Sequence, residues 1–154
     1  MNNSDQNDHH YRALEAMYQC APVNAYYKPV MTITEAEAEI IIDIQPSMFH
    51  TAGATHGSVY FKMLDDAAFF AANSLEEEVF VLTTSFTTYI TRPIASGKMI
   101  ARGKVVNKNS SQWITEAVVY DEEGRELGRG NGIFVRSKIQ LNNTRGYKDY
   151  MIAR

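Results

Sequence analysis

The sequence predicts an α+β domain in which an antiparallel sheet curls around one apolar helix. Three observations predict it: a strand of period-two alternation over residues 35–44, a helix over residues 57–75 that is apolar on nearly every side, and four strand-like segments joined by short turns after it. The 154 residues amount to one domain, long enough to bury its own core.

Taken in order, residues 1–8 are polar and are expected to be a disordered start. From His9 to Cys20, Leu14, Met17 and Tyr18 recur at helical spacing, and Pro22 ends the short surface helix this implies. Val23 to Met31, with Tyr26 and Tyr27, reads as a loop crossing the domain. Ala36, Ala38, Ile40, Ile42 and Ile44 then alternate with Glu35, Glu37, Glu39, Ile41 and Asp43, until Pro46 ends the strand. The helix that follows Gly57 is rich in Ala, Phe, Met and Leu, and its only charges are Lys62, Asp65 and Asp66. A helix apolar all round is normally wrapped by other structure. Val79 to Thr91, Lys98 to Val106, Gln112 to Tyr120 and Arg125 to Val135 are strand-like, separated by Arg92-Pro93 with Gly97, by NKNSS and by DEEG. Gly128, Gly130 and Gly132 share one face of the last strand, which implies close approach by another group. Residues 138–154 are polar and are expected to be a mobile or partner-bound tail, so the folded domain is expected over 9–137.

Composition narrows the function classes. Apolar residues are 45% and charged residues 21%, ordinary for a soluble globular chain. A formal net charge of -3 argues against nucleic acid as a partner. Cys20 is the single cysteine and cannot form an internal disulfide. The N-terminus lacks the order of a signal peptide, and no apolar run approaches the roughly 20 residues of a membrane span. A soluble cytoplasmic protein is the expectation. The adjacent His9 and His10 lie in a polar segment and are read as solvated, with no metal expected.

The chemistry-bearing stretch is HTAGATHGSVYFKMLDD, His50 to Asp66. Gly53 and Gly57 permit conformations and close approaches that side chains block. Gly57 begins the helix, so its N–H lacks an intrahelical partner and, with the positive end of the helix dipole, suits an oxygen that gains negative charge. Losing one such donor costs on the order of 2.7–4 kcal/mol in barrier height. Asp65 lies about two turns on, and a carboxylate on an apolar helix is costly unless paired or used. It is a general base toward water or a nucleophile on a carbonyl; the plain alternative is an ion pair with Lys62. Asp66 has the better i,i+4 spacing to Lys62 and is read as that residue's structural partner. His56 is read mainly as a structural histidine bonding the loop backbone.

The segment resembles the active-site motif of hotdog-fold acyl-CoA thioesterases of the phenylacetate-degradation type. His56-Gly57-Ser58 and Asp65 stand where that family has His-Gly-Gly and an Asp nine residues after the His. FTTYITRPIASG resembles its strand ending in Arg/Ser-Pro and Gly, and EAVVYDEEGRELGRGNGIFV its terminal hairpin, so the resemblance covers about residues 35–137. It implies a curved antiparallel sheet of five to six strands around a central helix. It also implies a homodimer, or a dimer-of-dimers homotetramer, with active sites at the subunit interface. In the role it implies, Asp65 attacks the thioester or activates water, and the Gly57 amide polarises the carbonyl. Thr83 assists from the following strand, and His50 stands where Asn is usual, adding a group that titrates near neutrality. Ser58 replaces the second Gly and suits a helix start. Arg92, Lys104 and Lys108 are the candidates for the coenzyme A phosphates. No cofactor is expected beyond coenzyme A as part of the substrate.

The function these residues imply is hydrolysis of an acyl-CoA to free acid and coenzyme A. The alternative from another class is a non-hydrolytic acyl-CoA binding or sensing module, motivated by the departures at His50 and Ser58. Hydratase chemistry also occurs on this fold, but its arrangement of His and acid is not found in this sequence. Tyr26, Tyr27, Tyr89, Phe69 and Phe70 are candidates for an acyl pocket, with ordinary core as the plainer reading.

Overall fold

In the computed structural model, which describes residues 3–154, six antiparallel strands form one sheet in the order β1-β2-β4-β5-β6-β3. The strands are β1 (Val30–Thr34), β2 (Glu37–Asp43), β3 (Val79–Ile90), β4 (Lys98–Lys108), β5 (Trp113–Tyr120) and β6 (Glu126–Gln140). The helices are α1 (Asn3–Gln19), α2 (Asn24–Tyr27), α3 (Gly57–Asn73) and α4 (Tyr147–Ile152). The expected α+β architecture is present, with the curved sheet wrapped around α3.

Helix α3 buries Val59, Tyr60, Met63, Leu64, Ala67, Ala68 and Ala71. The sheet meets them with Ala38, Ile40 and Ile42 on β2, Met99 and Ala101 on β4, and Ala117 and Val119 on β5. Each large side chain among these stabilises the fold by roughly 1.5–3 kcal/mol. Small residues bring the layers unusually close. A Cβ at Gly103 on β4 would lie 2.3 Å from the backbone carbon of Ala67, so only hydrogen fits there. The glycine face of β6 works in the same way: Cβ atoms at Gly130 and Gly132 would lie 2.5 and 2.4 Å from the Phe86 ring, which packs across them.

Several expectations need correction. Residues 30–34 are a strand, which takes in Val30 and Met31 from the expected loop; Met31 and Ile33 point inward while Val30, Thr32 and Thr34 are exposed. Glu35 and Ala36 form the turn into β2 rather than part of it, with Ala36 at a left-handed φ of 61° and its N–H donating to Ser74 Oγ at 2.8 Å. That signal is short and follows a Pro and two tyrosines, which hid it.

Helix α1 begins at Asn3, within the segment expected to be disordered. Nor is 138–154 a loose tail: β6 continues to Gln140, Leu141 and Tyr147 are buried, and α4 packs on α1. A polar contact within the core, which sequence spacing does not reveal, joins the two ends. His10 is buried, with one ring nitrogen 2.8 Å from Tyr147 Oη and the other 2.9 Å from the Asn73 carbonyl oxygen. It ties α1, the end of α3 and α4 together, and it is no solvated histidine.

Replacing Gly103 with Ala should push α3 off β4. Denaturant unfolding is expected to show a loss near the upper end of the about 1–3 kcal/mol typical of overpacking, with an unchanged m-value.

Candidate active site

The loop entering α3 is pinned at both ends. The Thr55 N–H and hydroxyl both donate to the Ile94 carbonyl, at 3.0 and 2.7 Å, and the His56 N–H donates to the Met48 carbonyl at 2.9 Å. Gly53 takes the left-handed turn that the loop requires, at φ 86°. His56 is the N-cap, its Nδ1 accepting from the Ser58 N–H at 3.1 Å and lying 2.8 Å from Ser58 Oγ. The imidazole and Ser58 therefore satisfy part of the helix entrance, and the Gly57 N–H, in the first turn, has no intrahelical acceptor.

The wrapped face of α3 leaves an outward arc of Ser58, Phe61, Lys62, Asp65 and Asp66. Asp65 is half-buried, and the Thr83 hydroxyl on β3 donates to its Oδ1 at 3.0 Å. Burial is the main cause raising its pKa from 3.8 to about 6; Thr83 pulls it down, Asp66 pushes it up and Lys62 pulls it down. Asp66 instead binds Lys62, Oδ2 to Nζ 2.6 Å, as its i,i+4 spacing predicts.

Strand β3 owes its side-chain directions to an irregularity. Its register with β6 shifts between Thr83 and Ser85, inserting Thr84 as an extra residue. A one-residue insertion exchanges the faces of a strand. Thr83 before the bulge and Phe86 and Ile90 after it therefore all meet α3. Phe86 packs edge-on against Phe61 at 5.9 Å, and Ile90 Cδ1 lies 3.0 Å from where a Gly57 Cβ would stand. Neither the bulge nor the Ile90–Gly57 contact was foreseen from sequence.

The other candidates are spread out. His50 is exposed in the loop, its Nδ1 accepting from the Ala52 N–H at 3.1 Å. Arg92 is exposed just beyond β3, where its carbonyl accepts from the Tyr60 hydroxyl at 2.7 Å. Lys104 follows Gly103, whose missing side chain faces α3, so Lys104 lies on the opposite face of the sheet, 3.9 Å from Glu116. Lys108 lies over the Trp113 ring at 5.7 Å. Within one chain the structure thus joins Asp65 to Thr83 and sets Gly57 beside Ile90, while Lys104 and Lys108 stand apart. Of the candidate acyl-pocket aromatics, Phe69 and Phe70 are core, whereas Tyr26 and Tyr89 are exposed.

Residues 52–127, from this loop through α3 to the start of β6, match the thioesterase superfamily. The matched segment is similar to that superfamily, and the helix-wrapping sheet has the hotdog fold of the structures it overlays. Among solved structures it overlays the E. coli PaaI protein of the phenylacetic acid degradation operon, with a TM-score of 0.79 and 16% identity over 87% of this chain and 97% of that one. It also overlays a thioesterase family protein from Silicibacter pomeroyi, with a TM-score of 0.75 and 23% identity over 82% and 96% of the two chains. A Mycobacterium tuberculosis protein provisionally named an esterase is 27% identical over 93 residues, 58% of this chain. That match spans 66% of the relative's length, just under two thirds.

Because folding raises the proton affinity of Asp65, the folded chain holds more protons than the unfolded one between about pH 4 and 6. Stability therefore falls as pH rises through that window, and ionised Asp65 is a net cost above it. Asp65→Asn should raise stability at pH 7.5 by on the order of 1–3 kcal/mol, a gain that vanishes below about pH 4. Thermal melts of both chains across that range check this.

Proposed function

We propose that the protein hydrolyses an acyl-CoA thioester to a free acid and coenzyme A, with Asp65 as general base. The observation that carries this is the half-buried Asp65 carboxylate, raised to about 6 and steadied by Thr83. A base whose pKa lies near the working pH is both ionised and strong enough to take a proton from water. In the reaction, water oxygen attacks the thioester carbon while Asp65 takes its proton. The carbonyl oxygen becomes an oxyanion against the Gly57 N–H. Collapse then breaks the carbon–sulfur bond, and coenzyme A leaves as thiolate.

One chain holds both groups but in the wrong relation. Eight residues of helix separate Gly57 from Asp65, a rise of about 12 Å, and one carbonyl group cannot meet both at roughly 3 Å. A second copy resolves this. Strand β3 is an edge of the sheet, and Leu82, Tyr89 and Ile90 on it are exposed, as is Phe61 beside it on α3. Pairing of two β3 edges about a two-fold axis runs the two α3 helices antiparallel, so that Gly57 of one copy faces Asp65 of the other. The active unit in this reading is a homodimer; two such dimers would make the tetramer. His50, on the exposed loop, orients the water or the carbonyl. Arg92 is the best placed of the three basic candidates for the coenzyme A phosphates, since it lies at the β3 end nearest the loop. Among the described residues no helix is long and apolar enough to cross a membrane, and the single cysteine suits a reducing cytoplasm.

Thiol release over a panel of acyl-CoAs tests the reaction. Asp65→Asn should lose on the order of 10²-fold or more in kcat, and the wild-type kcat/KM should rise with pH through about 6. Full activity in Asp65→Asn would overturn the assignment. Ile90→Glu, which charges the free edge, should give monomers by size-exclusion chromatography and abolish turnover together; an active monomer would rule out the shared site.

A further inference from the structure

The outward arc of α3 places two carboxylates beside one ammonium. At 3.6 residues per turn, Lys62 projects about 60° from the direction of Asp65 and about 40° from that of Asp66, one turn nearer the N-terminus. Its flexible stem lets Nζ reach either acid. The structure puts it on Asp66, at 2.6 Å, and brings α1 and α2 against the pair. The Tyr18 hydroxyl of α1 donates to the same Asp66 Oδ2 at 2.6 Å, and Lys62 Nζ lies 3.5 Å from that hydroxyl. The ammonium also sits 5.2 Å from the Tyr18 ring centre and 5.1 Å from that of Tyr27 on α2. Only 14% of the Lys62 side chain and 20% of the Asp66 side chain is exposed, so this is no freely swinging surface pair.

We propose that Asp66, held by Tyr18, is a positioning residue that keeps the Lys62 ammonium off Asp65 and so leaves Asp65 free to accept a proton. The inference rests on Asp65 being the base. An ammonium on Asp65 would occupy the oxygen that must take the proton from water. It would also hold the carboxylate ionised, lowering its basicity by roughly 1–3 pKa units, the usual effect of an adjacent opposite charge. The groups that face Asp65 are Thr83 from β3, Lys62 and Asp66 from its own helix, and Tyr18 from α1. Tyr27 of α2 faces Asp66. Among them Lys62 is the one cation, so where it is held decides how basic Asp65 is.

The test compares pH profiles of kcat/KM for wild type, Asp66→Asn, Lys62→Met/Asp66→Asn and Asp65→Asn, on the acyl-CoA that wild type hydrolyses fastest. Asp66→Asn frees Lys62 to pair with Asp65. Its acidic limb should move down by roughly one pH unit or more, and its rate at pH 7.5 should fall several-fold with little change in KM. The double variant has no lysine to misplace, and should recover both the limb and the rate. An Asp66→Asn profile matching wild type, or a double variant no better than the single one, overturns the proposal. Should circular dichroism show Asp66→Asn unfolded, Tyr18→Phe decides the matter: a limb displaced downward supports it and an unmoved limb overturns it. Asp65→Asn separates the two levels. Its inactivity alongside an unmoved Asp66→Asn limb defeats the positioning role alone, whereas its full activity defeats the base assignment itself.

Discussion

The backbone of α3 at Ala67 and Ala68 lies against Gly103 on β4, closer than any side chain would allow. That contact sets the depth at which the sheet encloses the helix. Once α3 sits so deep, its alanine, leucine and methionine face is committed to the core, and one narrow arc is left outward. Every charged group of the helix lies on that arc: Lys62, Asp65 and Asp66. The packing constraint thus selects the catalytic candidates before any electrostatic argument begins.

The same burial supplies the electrostatics. Enclosure by the sheet removes water from around Asp65 and raises its proton affinity, while the Thr83 hydroxyl keeps the carboxylate oriented. The result is a carboxylate that is costly to fold around and, in the proposed reaction, useful as a base, the usual trade between stability and activity. The bulge at Thr84 matters here because it exchanges the faces of β3 midway. A regular strand would present either Thr83 or Phe86 and Ile90 to the helix; the irregular one presents all three.

Two neighbouring acids on α3 have different partners, and α1 accounts for the difference. Asp66 is bound by a lysine and a tyrosine hydroxyl, and two aromatic faces hold that lysine. Asp65 has one hydroxyl and an open side toward the free sheet edge. Secured on α3 and α4 through His10, α1 is in place to supply Tyr18 to that cluster.

Much of this was legible in the sequence, because periodicity and helix-entrance chemistry are local. The alternation over β2, the unbroken apolar run of α3, the lone helix carboxylates and the pairing of Asp66 with Lys62 depend on residues a few positions apart. So does the His56-Gly57 turn, where an amide is left without a partner by helix geometry alone. What the sequence could not show depends on groups distant along the chain. Tyr18 and Asp66 are 48 residues apart, and His10 and Tyr147 are 137 apart, so no spacing rule links them. Strand β1 was missed because five residues carry too little periodicity to outweigh the Pro and tyrosines before them. The sequence by itself determined that an apolar helix and the strands around it form, and which acid is suspect. Only the tertiary structure decided where α1 and α4 dock, which way β3 aims its side chains and which carboxylate keeps the lysine, because each is settled by long-range packing and not by local propensity.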